Sequence, residues 1–122
     1  MPEDINKQIR IPRAKIQEIR DVALKISIDM AISSGLDRDL VVLFRETVCE
    51  QPINEELIPT GVVIYIFTIQ EAVIKKFSGY QHVVPWLMFP FIIEFKKIPQ
   101  VAEQLDKLLP PSNKDTGGIN KN

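Results

Sequence analysis

The spacing of apolar residues changes character along this chain, and each change marks an element. From Pro12 onward, Ile16, Ile19, Val22 or Ala23, Ile26 and Met30 recur every three or four residues, while Glu18, Asp21, Lys25 and Asp29 fall off that line. Such a period lays one stripe along an α-helix. Pro12 suits its first turn, where a missing N–H costs nothing. Ser33, Ser34 and Gly35 end it, with the glycine free to take a left-handed backbone. Asp37 or Asp39 can then cap a second helix, which carries Leu40, Val41, Val42, Leu43 and Phe44 and stops before Pro52.

The second half is greasier. Val62-Val63-Ile64-Tyr65-Ile66-Phe67-Thr68-Ile69 is an unbroken run of strand-favouring types, which alone reads as a strand buried on both faces. Its boundaries read as a helix instead. Thr60 can cap it, Glu71 and Lys75 stand four apart, and Lys75 and Lys76 lie where the helix dipole favours cations. The expectation is one helix over 61–77, buried nearly all round, with a strand at 62–69 as the alternative. Residues 83–95 carry Pro85 and Pro90, which exclude a central strand and would kink a helix. An irregular entry through Trp86, Leu87 and Met88, then a helix from Phe89 or Pro90 to Lys97, is expected. Pro99 opens a last amphipathic helix, with Val101, Leu105 and Leu108 on one side, and Pro110 and Pro111 close it.

The predicted fold class is therefore mostly α: a single domain of four to five helices around a buried central helix, spanning 12–111. A polar arm precedes it at 1–11 and a flexible tail follows at 112–122. The expected core is Ile19, Val22, Ile26, Met30, Leu40, Leu43, Phe44, Val62, Tyr65, Ile66, Ile69, Val73, Phe91, Phe95 and Leu105.

Composition narrows function mostly by exclusion. A chain of 122 residues and net charge −1 has no overall electrostatic drive toward nucleic acid or anionic lipid. Cys49 stands alone, so no intrachain disulfide is possible, and Met1 to Lys7 lack an apolar signal core. A cytoplasmic location is expected. The run from Leu57 to Ile74 approaches membrane-spanning length but contains Gln70 and Glu71, so no membrane role is expected.

Chemical candidates are few. Cys49 and His82 could form a thiol–imidazole dyad, but no spacing joins them, and Cys49 reads better as a small buried hydrophobe. Glu71 and Glu94 follow apolar stretches and could be perturbed carboxylates. Pairing of Glu71 with Lys75, and of Glu94 near Lys96 and Lys97, accounts for them more simply. One His and one Cys do not make a zinc site, and the five glycines form no phosphate loop. No catalytic, cofactor or metal site is expected, and the chain is read as non-enzymatic.

Two surfaces remain. Lys7, Gln8, Arg10, Arg13 and Lys15, with Arg20 beyond them, give a local basic excess that could contact nucleic acid. Lys7-Gln8-Ile9-Arg10-Ile11-Pro12 before two helices hinged at Gly35 resembles the opening of ribbon-helix-helix repressors, which implies Gln8 and Arg10 as base readers. The first helix is about two turns longer than that family's. Ala31 to Leu36 with Val41 and Phe44 is similar to helix-turn-helix spacing, although Asp37 and Asp39 open the second helix. The two resemblances assign the groove to different elements, and the chain is placed in neither family.

The other surface is Tyr80, His82, Trp86, Met88 and Phe89, a concentration of large apolar and amphipathic rings that suits protein contact. The leading expectation is an oligomeric or partner-binding interaction module using residues 80–89, with a small DNA-binding regulator as the alternative.

Overall fold

The computed structural model describes residues 10–54 and 56–108, with the side chains of Glu56, Leu57, Lys107 and Leu108 left aside. The chain is helical, as the spacing predicts. Five helices follow in order: α1 (Arg13–Ser33), α2 (Arg38–Glu50), α3 (Pro59–Lys76), α4 (Val84–Lys96) and α5 (Pro99–Leu108). Two short extended pieces, β1 (Ile11–Pro12) and β2 (Glu56–Leu57), pair antiparallel, with Ile11 opposite Leu57. This clip ties the start of α1 to the approach of α3, and Ile11 is buried beneath it. Most of the expected arm and all of the expected tail lie outside the described residues.

The first two helix ends are chemically explicit. Gly35 has φ +83°, and its N–H reaches the Ile32 carbonyl while the Leu36 N–H reaches that of Ala31. These are the two bonds of a Schellman ending, which a left-handed glycine permits at no steric cost. Asp37 then caps α2 by accepting from the Asp39 N–H at 3.0 Å. The 62–69 run is helix, so its boundaries outweigh the strand preference of its residues. The cap position is Ile58, with Pro59 in the first turn, and Thr60 makes no capping bond.

Helix α3 packs against α2, α4 and α5, and α1 packs most extensively against α4. Burial of α3 is broad but not complete. Val62, Tyr65, Ile66, Ile69 and Val73 face inward, whereas Ile64 and Phe67 stay exposed. Phe44, Phe77, Phe91 and Phe95 are fully buried. Phe44 meets Phe77 edge-on at 6.0 Å, and Tyr65 meets Phe95 at 6.4 Å.

Three expectations are corrected. Helix α4 begins at Val84 and runs through Pro90 rather than starting there. Pro85 fits its first turn, and the ring of Pro90 needs only that the preceding turn open. Met88, expected on the surface, is 1% exposed because that early start turns it inward with Leu87 and Phe91. On α1, Val22 and Ile26 are exposed and Met30 is half-buried. The buried face is instead Ile16, Ile19, Arg20, Ala23, Leu24, Ser27 and Ala31. Leu40 and Leu43 are also only half-buried, and the rest of the expected core is buried.

The rotation of α1 has a physical cause in the α1–α4 seam. Ala23, Ser27 and Ala31 are small and four residues apart, which lets α4 approach closely. The buried Ser27 hydroxyl lies within hydrogen-bonding reach of its own Ala23 carbonyl and of the Leu87 carbonyl on α4. Pro90 leaves the Trp86 carbonyl without its helical donor, and the Ser27 hydroxyl reaches the neighbouring carbonyl, that of Leu87, in the same turn. Ser27→Ala should destabilise the fold by about 0.5–1.5 kcal/mol, the usual net worth of a buried hydrogen bond between packed helices. Phe44→Ala should cost about 3–5 kcal/mol through the cavity it leaves. Urea midpoints at unchanged slope would measure both.

Candidate interaction surface

Two charged residues, Arg20 and Glu94, are buried among the described residues, and Arg20 serves the structure. Arg20 is 8% exposed, and its guanidinium donates to the Gln51 carbonyl at 2.8 Å, the Val48 carbonyl at 3.4 Å and the Tyr65 hydroxyl at 3.2 Å. It also donates to the Gln17 side chain at 3.3 Å. Val48 and Gln51 lie at the C-terminal end of α2, where the dipole is negative and the Val48 carbonyl already accepts from the Gln51 N–H, so a cation is well placed. Nε of Arg20 is buried without a partner. Arg20 thus fastens α1 to α2 and α3 and leaves the basic arm with fewer charges than the sequence suggests. Burial raises the Tyr65 phenol above its ordinary 10.0, and the neighbouring Arg20 partly opposes that rise.

The remaining basic-arm residues divide. Lys7 and Gln8 lie outside the described residues. Arg10, Arg13 and Lys15 are exposed, the last two on the opening turn of α1. The segment that a ribbon-helix-helix repressor would pair across a dimer is here joined within the chain, Ile11 to Leu57.

The acid and thiol candidates resolve simply. Glu94 is nearly buried and pairs with Lys97 at 3.0 Å. Glu71 is exposed, and it is Lys76, not Lys75, that makes an ion pair, with Glu50 at 3.2 Å. Cys49 is exposed, contrary to expectation, because its position on α2 turns it toward the shallow cleft it shares with Asp21, Lys25 and Arg45. His82 lines a different cleft, so the structure does not bring the pair into one site. Among the described residues, no group of three or more His, Cys, Asp or Glu side chains is placed to share a metal ion. Among the described residues, no helix is long and apolar enough to cross a membrane.

What the fold does bring together is an apolar face on the outside of α1 and α4. The two helices run antiparallel, with Ser27 level with Leu87. Met30 and Trp86 share a cleft at one end, and Val22 shares another with Glu94 and Lys97 at the opposite end. Met30 and Trp86 thus line one cleft together, while Val22, Ile26, Phe89 and Ile93 stand exposed on the same two helices. Exposure is 68% for Trp86, 44% for Phe89, 43% for Ile93, 42% for Val22 and 39% for Ile26. Elsewhere, exposed large apolar residues come in small groups, Ile64 with Phe67 on α3 and Ile32 with Val42 near the α1–α2 turn.

The residues expected at 80–89 divide between this face and its end. Trp86 and Phe89 are on it. Tyr80 and His82 border the adjoining cleft of about 440 Å³, with Asp37 across from them. Met88 belongs to the core. Val22, Ile26 and Ile93 were not expected here; the signal for the first two was present as a stripe but read as inward. Compared with protein-family models, with curated proteins and with solved structures, the chain finds no match in any of the three.

Arg20→Met should destabilise the protein by about 2–3 kcal/mol, because the α2 carbonyls lose a charged donor, and Arg20→Lys should recover only part of that loss. Tyr65 gives a pH signature. Above the ordinary value of 10.0 the unfolded chain ionises first, so folding stability falls from there until the folded phenol also ionises. Tyr65→Phe removes that component, so the stability gap between variant and wild type should narrow as pH is raised from about 9 to 11. Urea unfolding across that interval measures it.

Proposed function

We propose that this chain is a non-enzymatic protein-interaction module that engages a polypeptide through the outer face of α1 and α4. One observation carries the reading: five large apolar residues stand exposed on two packed helices, with Trp86 the most exposed of them. Large apolar side chains left exposed on two packed helices offer surface whose burial is favourable in proportion to area. Tyr80 and His82 at its end supply the amphipathic rim that interfaces favour. The solitary Cys49, which can form no intrachain disulfide, suits a reducing compartment such as the cytoplasm.

The nucleic-acid alternative keeps Arg10, Arg13 and Lys15 on the surface but loses Arg20 to the helix cap, which leaves the apolar face with the stronger support.

A photo-crosslinking residue at position 89 should trap a polypeptide in intact cells, while one at Glu46, exposed on the polar side of α2, should not. Trp86→Lys in the same background should abolish the adduct with stability changed by no more than about 0.5 kcal/mol, as for other exposed sites. Equal adduct yield from positions 89 and 46, or an adduct indifferent to Trp86→Lys, would rule the face out.

A further inference from the structure

We propose that the cleft where the end of α1, the cap of α2 and the turn before α4 meet is a binding site for a small organic cation, recognised by its alkylated ammonium group. The site goes beyond the polypeptide contact and does not require it. The cleft measures about 440 Å³. Small-ligand sites run from roughly 300 to 1,000 Å³, so it has room for a head group and a short tail. Three properties of its lining select the ligand.

Charge sets the sign. With His82 counted as neutral, Asp37 is the single formally charged residue in the lining. The other described clefts each carry a lysine or an arginine: Lys25 and Arg45 near Cys49, Lys15 and Lys97 near Glu94, and Arg38 near Val42. Capping of α2 uses Oδ2 of Asp37, and Oδ1 makes no hydrogen bond or ion pair among the described residues. One carboxylate oxygen is thus available to a ligand.

The end of α1 adds to that charge. The last carbonyls of a helix concentrate partial negative charge, which a cation nearby offsets. Helix α3 places Lys75 and Lys76 in its last turn, α4 places Lys96 there, and the end of α2 receives Arg20 from α1. Helix α1 has no basic residue in its last turn, and Met30, Ser34 and Gly35 at its end line the cleft. Arg38, the next basic residue along the chain, lines a different cleft. A bound cation would stand where a lysine or arginine stands at the other three ends.

Rings decide the kind of cation. Tyr80 and Trp86 both line the cleft, with Leu36 and Val83 among its apolar walls. Aromatic rings attract cations through their quadrupole, and alkylated ammonium groups are the ligands such rings recognise best. A hard metal ion would need several oxygen ligands to replace its water, and the lining offers one carboxylate. Trp86 and Tyr80 are 68% and 39% exposed, so the site is open and its affinity modest.

Trp86 is the chain's single tryptophan, so its fluorescence reports from the cleft itself. Titration of the full chain with choline chloride, at ionic strength held constant with sodium chloride, should change that fluorescence saturably, with a Kd on the order of 1 mM. 3,3-Dimethyl-1-butanol has the same shape with carbon in place of the charged nitrogen, and it should bind about tenfold more weakly. Asp37→Asn keeps a capping oxygen for α2 and so keeps the fold, and it should weaken choline about fivefold. Tyr80→Leu should weaken it about threefold, with circular dichroism confirming that both variants are folded. A fluorescence change that does not saturate, equal binding of the neutral alcohol, or unchanged choline affinity in Asp37→Asn would overturn the proposal.

Discussion

Helix α1 carries more apolar surface than the interior can take from it, and which stripe goes inward governs the rest of the molecule. One candidate is Val22, Ile26 and Met30. The other combines Ile16, Ile19, Ala23, Leu24 and Ala31 with two polar residues, Arg20 and Ser27, which lower its mean hydropathy. By hydropathy the first should win. The second wins because its polar members find specific partners: Arg20 the C-terminal carbonyls of α2, and Ser27 the Leu87 carbonyl on α4. A buried polar group that is satisfied costs little, whereas one left bare costs more than an exposed valine. The two polar contacts therefore orient the helix, and the apolar stripe is displaced to the outside.

The consequences run through the fold. Small side chains in the seam bring α4 close, which allows a helix containing Pro90 to persist across the loosened turn with outside help. The early start of α4 then fixes which of its residues are core and which are surface, turning Met88 inward and Trp86, Phe89 and Ile93 outward. Met30 of the displaced stripe shares a cleft with Trp86, so the two apolar surpluses meet at that end. Their location away from the Arg20 network means that stability and surface chemistry are carried by different residues.

Much of this was legible in the sequence where a local rule decided the outcome. Gly35 ends α1, Asp37 caps α2, and Lys75 and Lys76 stand in the last turn of the helix that carries the 62–69 run. Trp86 and Phe89 were recognisable as surface rings because the surrounding stretch holds more bulk than a core of this size absorbs. What was not legible depended on contacts distant in sequence. A helical period fixes the existence of a stripe but not which of two stripes, separated by part of a turn, faces inward. Arg20 looks like one more basic residue until Val48, Gln51 and Tyr65 surround it, and Ser27 has no visible purpose until Leu87 arrives. Cys49 and Met88 exchanged expected environments for the same reason: burial was assigned from residue type where the helix phase was decisive.

The orientation of α1 can be read most directly by thiol accessibility. In a Cys49→Ser background, single cysteines replacing Ile26 and Ser27 would be exposed to a thiol reagent in dilute native protein. The cysteine at 26 should react at nearly the rate of an unfolded thiol, and the one at 27 should be protected until global unfolding. Protection at 26 with ready reaction at 27 would mean that the hydrophobic stripe faces inward after all, and that the polar contacts of Arg20 and Ser27 do not set the helix.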